Sequence, residues 1–159
     1  MKKATIISSL FFLTVIVLSS CKKETEHEHH ENELITTVKL LVTKTGTSDI
    51  QEFTWADIDG PGGANPVIDE IILESASSYN FNVEFLNESG TAVEDHTHEI
   101  EEEGDHHRVF YLPNSISLTF SNLNKDKNGV TLGLSGQLQT GQPGNGSLRL
   151  ILRHYAGGG

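Results

Sequence analysis

With 159 residues, 11 basic against 22 acidic side chains and a formal net charge of −11, the chain is short and strongly acidic. Its size suits one domain and excludes a TIM barrel or a pair of Rossmann-like lobes. A surface of this charge repels phosphate backbones, so nucleic acid is not an expected partner, and cations or basic protein surfaces are.

Lys2 and Lys3 precede an apolar run from Ile6 to Leu18, interrupted only by Ser8, Ser9 and Thr14. A membrane-spanning helix needs roughly 20 apolar residues, so this shorter run reads as a signal peptide over residues 1–20. It ends in Leu18-Ser19-Ser20-Cys21, which resembles the lipobox of bacterial lipoproteins. The resemblance implies cleavage before Cys21, lipid on its sulfur and a membrane anchor. Lys22-Lys23-Glu24 resembles the surface-export run of Bacteroidota-type lipoproteins. The expected location is therefore the outer membrane, facing either the periplasm or the cell exterior. Cys21 is the only cysteine and Met1 the only methionine. The mature chain thus has no disulfide and no sulfur ligand for a metal. Without residues 1–20 it has 139 residues and a formal charge of −13.

Residues 21–33 hold the cysteine and a Glu/His-rich run with no aliphatic or aromatic side chain, which reads as a solvated tether. From Leu34 the hydrophobic period is two, the mark of half-buried strands. Val38, Leu40 and Val42 alternate with Thr37, Lys39, Leu41 and Thr43, and Phe53 and Trp55 follow. Val67, Ile71 and Leu73 share parity and predict a third strand. Phe81, Val83 and Phe85 form the cleanest alternation. Val109–Leu112, Ile116–Phe120, Leu132–Leu138 and Leu148–Leu152 complete the set. Turn residues separate them at Asp59–Gly63, Asn87–Gly90, Lys127–Gly129 and Gly141–Gly146. Seven to eight strands of this kind predict an all-β, antiparallel β-sandwich over residues 34–155, immunoglobulin-like in outline, with a frayed tail at 156–159.

One acidic stretch, Ala92–His107, breaks the pattern. Gly104 would end one or two helical turns there, but Glu101-Glu102-Glu103 repel one another and favour a mobile excursion unless a cation neutralises them. Seven of the eight histidines lie in the tether or this stretch: His27, His29 and His30, and His96, His98, His106 and His107. Neutral imidazole is a metal ligand near pH 7, and nearby carboxylates ligate or orient it. On a helix, Glu102 shares a face with His98 and His106. The main candidate site is therefore His96, His98, Glu102, His106 and His107, with His27, His29 and His30 a weaker collecting arm. Imidazole with carboxylate suits Zn²⁺, Ni²⁺ or Cu²⁺, and zinc is favoured on availability. His154, in phase with inward-facing Leu152, reads as a packed or edge histidine.

Asp57 and Asp59 could face Ca²⁺, but no Glu closes an EF-hand twelve positions from Asp57, so an ordinary turn is expected. No G-x-S-x-G elbow and no phosphate-binding loop is present, and an enzyme is not expected. Cys21 with its charged run, the Glu/His opening, the Asp57–Gly63 loop, Phe85-Leu86-Asn87-Glu88-Ser89 and Leu152-Arg153-His154 together resemble a loose group of small acidic Bacteroidota-type lipoproteins. That resemblance implies an association with TonB-dependent outer-membrane uptake of metals, and so an outer-membrane transporter as partner. Two functions follow as expectations. One is a lipid-anchored binder of divalent transition metal. The other is a non-enzymatic interaction module of an envelope complex, in which the histidines are incidental.

Overall fold

A computed structural model describes residues 34–155. Cys21, the tether histidines His27, His29 and His30, and the 156–159 tail lie outside the described residues. The domain is an all-β sandwich of antiparallel strands, as the period-two pattern predicts. Its strands are β1 (Thr37–Lys44), β2 (Ile50–Ala56), β3 (Val67–Ile68), β4 (Ser78–Asn87), β5 (Glu94–Asp95), β6 (His107–Asn114), β7 (Leu118–Ser121), β8 (Ser135–Thr140) and β9 (Ser147–His154). One helix, α1 (Thr97–Glu102), interrupts them.

The two sheets are unequal. Among the described residues, the first runs β3-β2-β1-β4-β8-β7, with β5 also paired to β4, and the second is the pair β6 and β9. β4 is central because both faces of its pairing are strong. Val42 lies opposite Phe81, Leu40 opposite Val83 and Val38 opposite Phe85. Phe81, Val83 and Phe85 are each buried to about one per cent exposure. Val109 and Tyr111 of β6 and Leu148, Leu150 and Leu152 of β9 close the core from the second sheet. Phe81 meets Tyr111 and Phe120 edge-on, with ring centroids 5.2 and 5.3 Å away, and Tyr111 stacks on Phe120 at 4.2 Å. This aromatic trio bridges the sheets.

Burial in this cluster pushes the Tyr111 phenol above its ordinary value near 10. Its hydroxyl donates to the Gly133 carbonyl at 2.7 Å. The neutral phenol is the form the fold accepts. The stability it confers is complete below about pH 10 and is lost as the pH rises from there towards the raised pKa. Ultraviolet titration is expected to show Tyr111 ionising only as the domain unfolds. A phenol ionising at its ordinary pH in a still-folded Tyr79→Phe, Tyr155→Phe background would refute this.

Several boundaries differ from the sequence expectation. The third strand stops at Ile68 instead of reaching Leu73. Asp69 explains the stop: its backbone N–H donates to Thr54 O, and its carboxylate accepts the Thr54 N–H at 2.9 Å. A side chain thereby takes the place of the next backbone carbonyl, and the ladder ends. Ile116 falls outside β7, because Ser115 at φ 62° turns the chain after β6. Leu132 and Leu134 are buried but precede β8. The 92–107 stretch is not a loose excursion. It packs through Ile100, which is fully buried, while Glu99, Glu101, Glu102 and Glu103 remain exposed. One apolar side chain gives the turn an anchor that three adjacent glutamates could not provide.

Candidate functional site

The candidate histidines are placed by two elements. α1 begins where the Phe85 N–H donates to Thr97 Oγ1 and the Thr97 N–H donates to the Asp95 carboxylate, both at 2.9 Å. These bonds fix His96 at the helix N-cap and His98 in the first turn. His96 Nδ1 lies 3.6 Å from the Glu99 carboxylate, and its Nε2 is buried with no hydrogen-bond partner among the described residues. His98 and Glu102 are four apart on one helix face, with Nε2 and Oε1 3.2 Å apart, and both are well exposed.

His106 and His107 belong instead to the seam between β6 and β9. His107 is fully buried, and its Nδ1 lies 3.1 Å from Glu103 O. Its ring stacks on His154, the residue opposite it in the β6–β9 ladder, with centroids 4.7 Å apart and planes 17° apart. His106 Nδ1 lies 3.2 Å from Tyr155 O, and its ring centroid is 6.1 Å from that of His154. A carbonyl can only accept, so both Nδ1 atoms carry protons. His154 is exposed at the end of β9, with its ring packed on that of His107.

Among the described residues, no three or more His, Cys, Asp or Glu side chains form a group that could hold a metal ion. Zinc takes three or four protein ligands, so His98 with Glu102 alone does not make its usual site. Glu102 pairs with His98 and not with His106 as well, because the helix ends at Glu102 and the chain turns through Glu103 and Gly104 before His106. The i, i+4 spacing to His106 holds only on a continuing helix.

Asp57 and Asp59 occupy a turn. The Asp59 carboxylate accepts the Ala64 N–H at 2.8 Å, and Gly60 and Gly62 have φ of 72° and 94°. Asp59 is thus used internally to shape the loop. The group Asn87-Glu88-Ser89 likewise serves the fold. Glu88 accepts from Thr37 Oγ1 at 2.7 Å, and its N–H donates to Thr36 Oγ1 at 2.8 Å.

Periodicity did not reveal the charged pair beneath the histidine seam. Arg108 Nη2 lies 3.3 Å from Asp126 Oδ2, with the Asp126 side chain fully buried. Arg108 also donates to the carbonyls of Gly104 and His107. At the rim, the Lys127 ammonium lies 2.9 Å from Asp105 and holds its carboxyl below the ordinary value near 3.8.

An apolar concavity lies elsewhere. A cavity of about 560 Å³ opens between the sheets, with Leu148 and Leu150 of β9 on one wall and Leu40, Phe53, Trp55 and Ile68 on the other. Arg149 and Asp69 stand at its margin. Ile68 and Ile71 also line it and are 66 and 40 per cent exposed, and Val67 and Ile72 next to them are exposed too. Asp69 and Glu70 stand between the two aliphatic pairs, so exposed apolar and acidic side chains meet at this cavity.

Compared with known proteins, the chain matches no family model, no curated protein and no solved structure.

Proposed function

We propose that this protein is a non-enzymatic interaction module of the cell envelope, held at the outer membrane by lipid on Cys21. The observation that carries the docking role is the open apolar cavity and the exposed aliphatic side chains Ile68 and Ile71 that line it. Bare aliphatic surface next to a concavity is costly in water and is characteristic of partner or ligand sites. The lipobox resemblance supports the anchor, and the histidines of this reading are structural or solvent-facing.

Affinity purification of the full chain from detergent-extracted envelopes tests this reading. A stoichiometric protein partner is expected, retained in the presence of a chelator and lost with Ile68→Asp, Ile72→Asp. Release of the partner by chelator alone would count against it.

A divalent-cation role keeps one supporting observation, the 3.2 Å approach of His98 to Glu102. Two exposed ligands give only a weak cation contact. In calorimetric titration with Zn²⁺, His98→Ala is expected to remove a component no tighter than about millimolar, since two ligands fall short of zinc's usual three or four. Sub-micromolar binding abolished by that substitution would instead restore metal binding as the main function.

A further inference from the structure

Among the described residues, the second sheet is one strand short of covering the first. The inner face of the large sheet continues from β1 through Phe53 and Trp55 of β2 to Ile68 of β3, where Leu40 lies opposite Phe53, Val38 opposite Trp55 and Trp55 opposite Ile68. On the facing side the second sheet ends at β9. The cavity is the gap this leaves.

β9 borders that gap with an open hydrogen-bonding edge. The Val109 N–H donates to Leu132 O, and the Tyr155 N–H donates to His106 O. With His107 opposite His154 and Arg108 opposite Arg153, these bonds set the alternation of the ladder. Ser147, Arg149, Ile151 and Arg153 bond to β6, while the backbone groups of Leu148, Leu150 and Leu152 point away from it. Among the described residues, nothing bonds these outward groups. Pro113 conforms to the same pattern: its missing N–H falls on the side of β6 away from β9.

Charge on this edge is unlike the rest of the molecule. The chain has three arginines. Arg108 is buried with Asp126, and the other two, Arg149 and Arg153, alternate with the core leucines on the outer face of β9. Neither forms an ion pair among the described residues. A second copy of this chain fits poorly as the occupant. Its formal charge of −11 is repelled by its twin, and β9 paired to itself about Ile151 sets Arg149 against Arg153.

We propose that the β9 edge and its cavity are a vacant strand position for an extended segment of a partner protein, apolar towards Phe53, Trp55 and Ile68 and acidic beside Arg149 and Arg153. This rests on the interaction-module reading and names the partner's chemistry. The segment pairs antiparallel with β9. Its carboxylates stand four residues apart, in the closely spaced non-hydrogen-bonded positions opposite the arginines, and the residues between them alternate inward to fill the cavity.

The probe is a fluorescent peptide, Ser-Val-Glu-Val-Ile-Val-Glu-Val-Ser, titrated by anisotropy against the full chain in detergent. Saturable binding in the micromolar range is expected, with new amide-exchange protection at Leu148, Leu150 and Leu152. Arg149→Glu, Arg153→Glu lies on the surface and leaves the core intact. It is expected to weaken binding by about tenfold or more, because two cross-strand attractions become repulsions. The same peptide with Lys in place of both Glu should fail on the wild-type chain and bind the reversed variant. Leu150→Pro removes an outward N–H without touching the β6 ladder and should abolish binding.

No binding up to about 1 mM overturns the proposal, that being the weak limit of measurable association. So does binding indifferent to charge reversal, or a dimer that the double reversal makes monomeric, which would assign the edge to a second copy. If the co-purified partner persists on the Leu150→Pro and charge-reversed chains, the strand position falls while the interaction module stands.

Discussion

Asp126→Ala is expected to cost the folded domain about 3–5 kcal/mol, because it strands the buried Arg108 guanidinium without its counter-charge. The Asp126 side chain is fully buried, and it does more than pair with Arg108. Its Oδ1 accepts the N–H groups of Asn128 and Val130, both at 2.8 Å, and so shapes the 126–130 turn. Arg108 in turn reaches the Gly104 and His107 carbonyls, joining the end of the α1 segment to the start of β6. One carboxylate therefore holds a turn, an ion pair and the histidine seam. Removing both charges with Arg108→Met, Asp126→Leu is expected to cost less than removing Asp126 alone, since the desolvation of both ions disappears with them. Urea unfolding followed by circular dichroism measures both, provided the denaturant slope stays constant. A single-mutant loss below about 1 kcal/mol, the range of exposed pairs, would show that water reaches the site.

Phe81→Ala is expected to destabilise by about 3–5 kcal/mol, the range for emptying an aromatic site in a packed core. Phe81 is one per cent exposed and belongs to the central strand. Its edge rests on Tyr111 and Phe120, so its loss also frees the stacked pair that joins the two sheets. Phe81→Leu keeps most of the apolar volume and should cost clearly less. The tyrosine near-ultraviolet dichroism should weaken in the alanine variant before global unfolding, since Tyr111 loses its edge contact. Equal unfolding midpoints for wild type and Phe81→Ala would mean that the cavity refills from the surrounding side chains. Together the two substitutions probe independent supports, one polar and one apolar. With Asp126 near the histidine seam and Phe81 between the sheets, their costs should add within a few tenths of a kcal/mol.

Part of the candidate site could be read in advance and part could not. The strand content and the inward side chains of β1, β4 and β9 follow from alternation alone, because a pleated strand sends successive residues to opposite faces. The arginines of β9 are visible in the same way, set between leucines. That no described strand pairs with their outer edge is not visible, because a sequence does not say how many strands the opposing sheet will have. The histidines show the opposite limit. Their enrichment is plain, yet His98 faces solvent while His107 stacks on His154, a residue 47 positions away in the chain. Composition counts ligands, but only the path of the chain brings them together.

Local chemistry thus determined the strand alternation, the turns and the surplus of negative charge, since each depends on neighbours within a few residues. Asp69 ending β3, Ile100 anchoring the acidic turn, the burial of Arg108 against Asp126 and, among the described residues, the unpaired edge of β9 were decided only in three dimensions. Each depends on which distant backbone or side chain arrives to exclude water, and no short-range period encodes that arrival.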